Sequence, residues 1–249
     1  MNEALQQTIE KHLAPTGKGE RRYAGLRPKD AATLIILDRR EPMPKVLMGR
    51  RHPGHTFMPG KFVFPGGSID LGDRTMPTVG ALHPRIEAAL AARVVRASAR
   101  RRRALALAAI RETYEETGVL LGVRQSPPGR VPDGSWTVFR DHGVIPDLSA
   151  LHFIARAITP PGRPRRFDTR FFAVDRAFIA GEVEGVTGPE CELDELAWVS
   201  LPEARRLDLP RITHVMLEEL DHRLANGFEH ELPVPFYYFR HGRFVRELL

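Results

Sequence analysis

The chain has 249 residues, 42% of them apolar, a net charge of +6 and a single cysteine, Cys191. That length buries a sizeable core as one elaborated domain or at most two small ones. One cysteine excludes an internal disulfide framework and fits a reducing, cytoplasmic setting, and runs such as Ala31–Leu37 and Ala104–Ile110 are too short to span a bilayer.

Residues 1–13 carry Leu5, Ile9 and Leu13 on one helical face, and Pro15, Gly17 and Gly19 then break the pattern. This reads as an arm (1–29) before a domain (30–249). The start has no basic region followed by an apolar stretch, so no secretory signal is expected. Ala31–Leu37 reads as a buried strand, Glu41–Pro44 as a turn and Lys45–Arg50 as the hairpin partner. A Pro/Gly/His loop over 51–60 leads to a third strand, 61–64, which delivers Pro65-Gly66-Gly67. A helix is expected near 84–95 and a longer one over 99–117. Arg100–Arg103 near the start of the second opposes the helix dipole, and the plain reading of those arginines is a solvated turn. Gly118 stands where a left-handed cap is expected. Beyond it come a short strand from Val119, a Pro/Gly loop over 125–134, a short helix near 135–142 and strands over 151–158, 169–174 and 195–199. Helices over 202–207 and 212–224 and a terminal strand over 234–239 complete the chain. This order suggests α+β layering, not βαβ alternation.

The long helix contains Arg111-Glu112-Thr113-Tyr114-Glu115-Glu116-Thr117-Gly118. At helical spacing Glu112, Glu115 and Glu116 share one face. Like charges there repel at about 0.2–0.5 kcal/mol per pair, so the cluster is best tolerated against a cation, and carboxylate oxygens suit Mg²⁺ or Mn²⁺. A solvated acidic face is the alternative. Arg111 can hold Glu115 as an i,i+4 partner. Upstream, Phe62-Val63-Phe64-Pro65-Gly66-Gly67 is a short apolar strand broken at paired glycines, which let backbone approach a ligand closely.

Together these residues resemble the Nudix hydrolase box: Gly, five residues, Glu, seven residues, then Arg-Glu-x-x-Glu-Glu-x-Gly. Gly67 matches the first glycine, Asp73 stands where the first Glu belongs, and Arg111, Glu112, Glu115, Glu116 and Gly118 match the second half. Between Asp73 and Arg111 lie 37 residues, so the box is split by an insertion (about 74–103). That split is similar to the peroxisomal-type coenzyme A diphosphatase branch and its bacterial relatives. The resemblance covers about residues 30–200 and implies a Nudix fold, a mixed β-sheet sandwiched between helices, with 201–249 as a C-terminal helical extension.

The resemblance implies hydrolysis of a diphosphate linkage, with coenzyme A or an acyl-CoA as the first substrate. The alternatives are a hydrolase of ADP-ribose- or NADH-type nucleotides, or a non-catalytic nucleotide- or nucleic-acid-binding protein. The last predicts eroded carboxylates, and the second half of this box is intact. The resemblance places Glu115, Glu116 and Arg111 in catalysis and Glu112, Glu115 and Glu116 on Mg²⁺ or Mn²⁺. Arg51, Gly60, Gly66, Gly67, Arg166 and Arg170 are assigned to substrate. Arg111 is read as orienting a box glutamate. Glu190, Glu192, Asp194 and Glu195 are each available as a later-loop acid. Gly60 through Gly67 fits the end of an upstream coenzyme A motif, with Arg51 as its arginine, while His52 and Thr56 depart from it. The expected partner is a small-molecule diphosphate, with no membrane and no nucleic acid. A homodimer is left open, with the insertion as a cover over the substrate mouth or a dimer contact. Gly17-Lys18-Gly19 lacks the rest of a P-loop, His52 and His55 are too few for zinc, and Trp136 and Trp198 read as core residues.

Overall fold

In chain order the elements are α1 (Glu3–Leu13), β1 (Lys29–Asp38), β2 (Lys45–Arg51), β3 (Phe62–Val63), β4 (Gly66–Ser68), a 3₁₀ turn (Gly72–Arg74), α2 (Pro84–Ala91), α3 (Ala99–Thr117), β5 (Val119–Leu121), β6 (Val123–Arg124), α4 (Trp136–Asp141), β7 (Val144–Ile145), β8 (His152–Ile158), β9 (Phe167–Asp175), β10 (Ile179–Glu182), β11 (Leu193–Ser200), α5 (Leu201–Ala204), α6 (Arg211–Ala225), β12 (Pro235–Arg240) and β13 (Arg243–Leu248). The structure, a computed structural model, describes residues 3–13, 23, 25–56, 58–126 and 129–249. Pro15, Gly17, Lys18 and Gly19 lie outside the described residues.

The main sheet runs β11-β2-β1-β9-β8-β12-β13, with β3 on β2 and β4 on β1. It is mixed: β1–β9 and β8–β12 are parallel, the other pairs antiparallel. From Ala31 to Leu37 strand β1 is apolar apart from Thr33, because both its faces are covered there. Ala32, Leu34 and Ile36 join the core beneath α3, and Ile35 and Leu37 join the core beneath α1 and α6. The chain crosses from β2 to β1 at Phe64-Pro65, where proline has no N–H for a ladder, and the Pro65 carbonyl accepts from Leu34 N at 3.0 Å.

Residues 104–110 of α3 are buried on every side, as expected of a helix apolar all round. The sheet lies below it, and Ile86 and Leu90 of α2 with Trp136 and Phe139 of α4 join the same core. Each Leu or Ile buried there contributes roughly 1.5–3 kcal/mol. The Ser98 hydroxyl caps the start of α3 by accepting from Arg101 N at 3.2 Å. Gly118, at φ 76°, ends it by donating to Tyr114 O at 2.8 Å, a conformation that costs a Cβ-bearing residue more.

Several expectations are corrected. The arginine run is not a solvated turn: Arg101 forks onto Asp30 at 2.6 and 2.9 Å, Arg102 reaches Glu87 at 2.5 Å and Ala97 O at 2.9 Å, and Arg103 donates to Met76 O. Helix α2 stops at Ala91 because the backbone turns extended at Ala92 and left-handed at Arg93. The C-terminal segment is not only helical, since β12 joins β8 and β13 closes the sheet edge. Helix α1 packs on α6, with Leu5 and Leu13 in its core.

A stack of rings ties α2 to the chain after α6. His83 lies 4.5 Å from His230, and His230 lies 4.1 Å from His152, centroid to centroid. Phe228, at φ 58°, adds its ring 4.2 Å from His152. The Nδ1 atoms of His152 and His230 are buried with no hydrogen-bond partner among the described residues. Burial, followed by the charges of His230, Arg223, Arg39 and His83, holds His152 down at about 3.

Candidate active site

Strand β4 runs beside β1, with Gly67 opposite Ala32. Helix α3 crosses above and sets the Glu112 carboxylate against Gly67. A Cβ at Gly67 would lie 2.4 Å from Glu112 Cδ, and one at Gly66 would lie 2.5 Å from Ala32 O. Glycine at 66 is therefore a steric requirement, set by backbone, while a side chain at 67 would displace the Glu112 carboxylate. The Gly66 N–H donates to Glu116 Oε2 at 3.3 Å. The sequence elements 66–67 and 112–116 thus meet in space.

Arg111 joins the two halves of the box. Its Nε and Nη2 donate to Asp73 Oδ1 and Oδ2 at 2.9 and 3.1 Å, and Nη2 also donates to Ser68 O at 2.7 Å. Its Nη1 lies 2.6 Å from Glu115 Oε2 and 2.9 Å from Glu112 Oε1. Asp73 has no exposed surface. Its oxygens also accept from Asp70 N at 2.7 Å and Trp136 Nε1 at 3.1 Å. Burial opposes the Arg111 charge, but Asp73, Glu112 and Glu115 raise its basicity above the ordinary guanidinium. This is a fork-to-carboxylate pair with its remaining donors used, the condition under which a buried ion pair is tolerated.

Glu112 and Glu116 are less well compensated. Burial pushes Glu112 up to about 7, against the pull of Arg111. Burial and then the charge of Glu192 push Glu116 well above the usual carboxylate range, with Arg51 pulling it back. Glu192 lies in the loop before β11, and its charge bears on Glu116. Arg51, opposite Leu193 in the β2–β11 ladder, donates to Glu192 at 2.5 Å. Asp194 and Glu195 instead pair with Arg50 at 3.0 and 3.1 Å, and Glu190 is exposed. Gly60 N donates to Arg51 O at 3.1 Å and closes the intervening loop.

The structure brings Arg51, Gly60, Gly66, Gly67, Arg111, Glu112, Glu115 and Glu116 into one neighbourhood. It does not bring Arg166 or Arg170 there. Arg166 donates to Thr159 O at 3.0 Å and to Leu26 O, while Arg170 is buried on Asp30 and the Asp168 carbonyl at 2.9 and 2.6 Å. Both positive charges hold the start of β1 and β9 together. A surface cavity lined by Pro42, Met43, Pro44, Leu201, Pro202, Arg205 and Asp221 contains none of the box residues.

No protein-family model matches the chain. The crystal structure of a NUDIX hydrolase from Alicyclobacillus acidocaldarius is 28% identical to it and superposes with a TM-score of 0.57, covering 78% of this chain and 91% of that one. The chain has the Nudix fold and is similar in sequence to a Nudix hydrolase of known structure. The human acyl-coenzyme A diphosphatase NUDT19 is 29% identical across 51% of this chain and 47% of its own length, so the chain spans about half of that curated relative.

Nudix hydrolases generally use divalent metal ions. Among the described residues, no three acidic, histidine or cysteine side chains converge as a metal site as they stand; Glu112 and Glu115 lean on Arg111. The donor set nonetheless fits a hard divalent ion. It offers buried, under-compensated carboxylates against a glycine pair, with oxygen donors only.

Proposed function

We propose that this chain hydrolyses a diphosphate linkage with the help of Mg²⁺ or Mn²⁺, with coenzyme A or an acyl-CoA as substrate. The observation that carries the reading is the assembly of Glu112 and Glu116 beneath Gly66-Gly67, fixed by Arg111 across the insertion. Glu112, Glu115 and Glu116 would hold the metal. A divalent ion bound there neutralises diphosphate oxygens and makes the phosphorus more open to attack by water.

The chain's own residues do the rest. Arg111 fixes Glu115 and is itself fixed by Asp73, so the carboxylates keep their orientation as substrate enters. Arg51 presents a guanidinium suited to a phosphate oxygen. Glu116 lies where burial favours holding a proton, which suits it to take one from the attacking water. The similarity to an acyl-coenzyme A diphosphatase supports the choice of substrate, as does the Gly60–Gly67 segment with Arg51 in front of it.

The test is incubation with coenzyme A, an acyl-CoA, ADP-ribose and NADH, with Mg²⁺ or Mn²⁺. Release of 3′,5′-ADP and a phosphopantetheine product from the first two is expected. Faster turnover of ADP-ribose or NADH would overturn the substrate, and turnover surviving both E115Q and E116Q would overturn the site.

A further inference from the structure

Ser135 stands at the N-cap of α4, where a serine hydroxyl ordinarily accepts from an N–H of the first turn. Here it makes no such bond. It donates instead to Glu115 Oε1 at 2.5 Å, the oxygen that Arg111 leaves over. The next residue, Trp136, is 1% exposed and donates its indole N–H to Asp73 Oδ1 at 3.1 Å. Its ring lies over the 3₁₀ turn that carries Asp73, where a Cβ on Gly72 would come within 3.0 Å of Trp136 Cδ1.

These contacts close a circuit. Trp136 holds Asp73, Asp73 holds Arg111, Arg111 holds Glu115, Glu115 is held by Ser135, and Ser135 is joined to Trp136 by a peptide bond. Two adjacent residues outside the box therefore grip both ends of its ion network. Aspartate at 73 is one methylene shorter than glutamate and sits on the far side of an insertion. Each feature makes an external brace useful.

We infer that Ser135-Trp136 is a positioning element of the active site, with Ser135 orienting Glu115 for metal and Trp136 fixing Asp73 behind Arg111. The role rests on the metal-dependent reading above. Partners that orient a metal ligand typically change affinity or activity by about 10–100-fold. S135A is expected to weaken Mn²⁺ binding about tenfold and to lower kcat similarly, with KM for substrate little changed; S135T, which keeps the hydroxyl, restores both. W136F loses the N–H together with part of the ring volume, and is expected to show the same pattern in weaker form with a lowered melting temperature.

The experiment is Mn²⁺ titration followed by calorimetry, beside steady-state kinetics, on the wild type, S135A, S135T, W136F and E115Q. If no substrate is turned over but S135A still weakens Mn²⁺ binding and S135T restores it, the function proposed above fails and this inference stands. If S135A matches the wild type in Mn²⁺ affinity and kcat, the inference is overturned. It is overturned equally if S135T does not restore them, or if the wild type binds no Mn²⁺.

Discussion

Around Arg111 the protein buries charge with charge; around His152 it buries rings that must stay uncharged. Asp73 and Arg111 satisfy each other with two parallel hydrogen bonds, and the leftover valences go to Ser68 O, Asp70 N and Trp136. His83, His230 and His152 face one another and two arginines, Arg39 and Arg223, and burial drives His152 down. Only the first region has carboxylates left over, and these are the groups that a cation would complete. Burying ionisable groups thus marks a site when the surplus is of one sign and close to a cleft glycine, and marks packing when neutral rings stack on one another.

The comparison breaks most sharply at Asp73. Removing one partner of a buried pair strands the other, and D73N is expected to lower stability by about 3–5 kcal/mol, read from urea unfolding. A loss under 1 kcal/mol would show that Arg111 finds other partners. Glu116 is the counterpart without its own cation. E116Q is expected to lower turnover about a hundredfold or more, beyond what a merely supporting residue costs. Its melting temperature in chelator should equal or exceed the wild type's, because the amide has no charge to desolvate. A clear drop in melting temperature would mean that the carboxylate stabilises the fold.

His152 sharpens the other side. Its folded value of about 3 lies below the ordinary 6.5, so below pH 6.5 the unfolded chain binds the extra proton. Stability from this group is complete above 6.5 and falls, by up to about 1.4 kcal/mol per pH unit, as the pH drops towards 3. H152F should flatten that acid slope in melts between pH 7 and 4; an unchanged slope would assign acid lability to other groups. The smallest effect is expected at Arg39, whose guanidinium lies 5.1 Å from the Phe228 ring and pairs with the partly exposed Asp175. R39Q should cost about 0.5–1 kcal/mol at neutral pH, and a larger loss by urea titration would give this rim a structural weight equal to the stack itself.

Much of the site could be read along the chain because its spacing is local. Glu112, Glu115 and Glu116 share a helix face by geometry alone, and the α3 boundaries follow from Ser98 and Gly118. The partner Asp73 was visible only as the residue standing in the glutamate's place. Ser135 and Trp136 were read as the start of a short helix and a core ring, since no spacing rule links residues 63 apart. Arg166 and Arg170 misled for a related reason. Clustered positive charge suggests an anion, but Asp168 lies two residues before Arg170 on the same strand face and Asp30 stands beside Asp168 in the parallel ladder, so the countercharge came from within. Strand β13 was missed because Arg243–Leu248 alternates weakly and is stabilised by pairing with β12.

Asp73 meets Arg111 through space and not along the chain. The two halves of the box therefore do not rely on an unbroken peptide between them. Val95, 86% exposed between two left-handed arginines, is a natural cutting point for a protease. Cleavage there would leave Met76, Leu82, Ile86 and Leu90 still seated in the core. The product would be a nicked molecule, two polypeptides sharing one ion network.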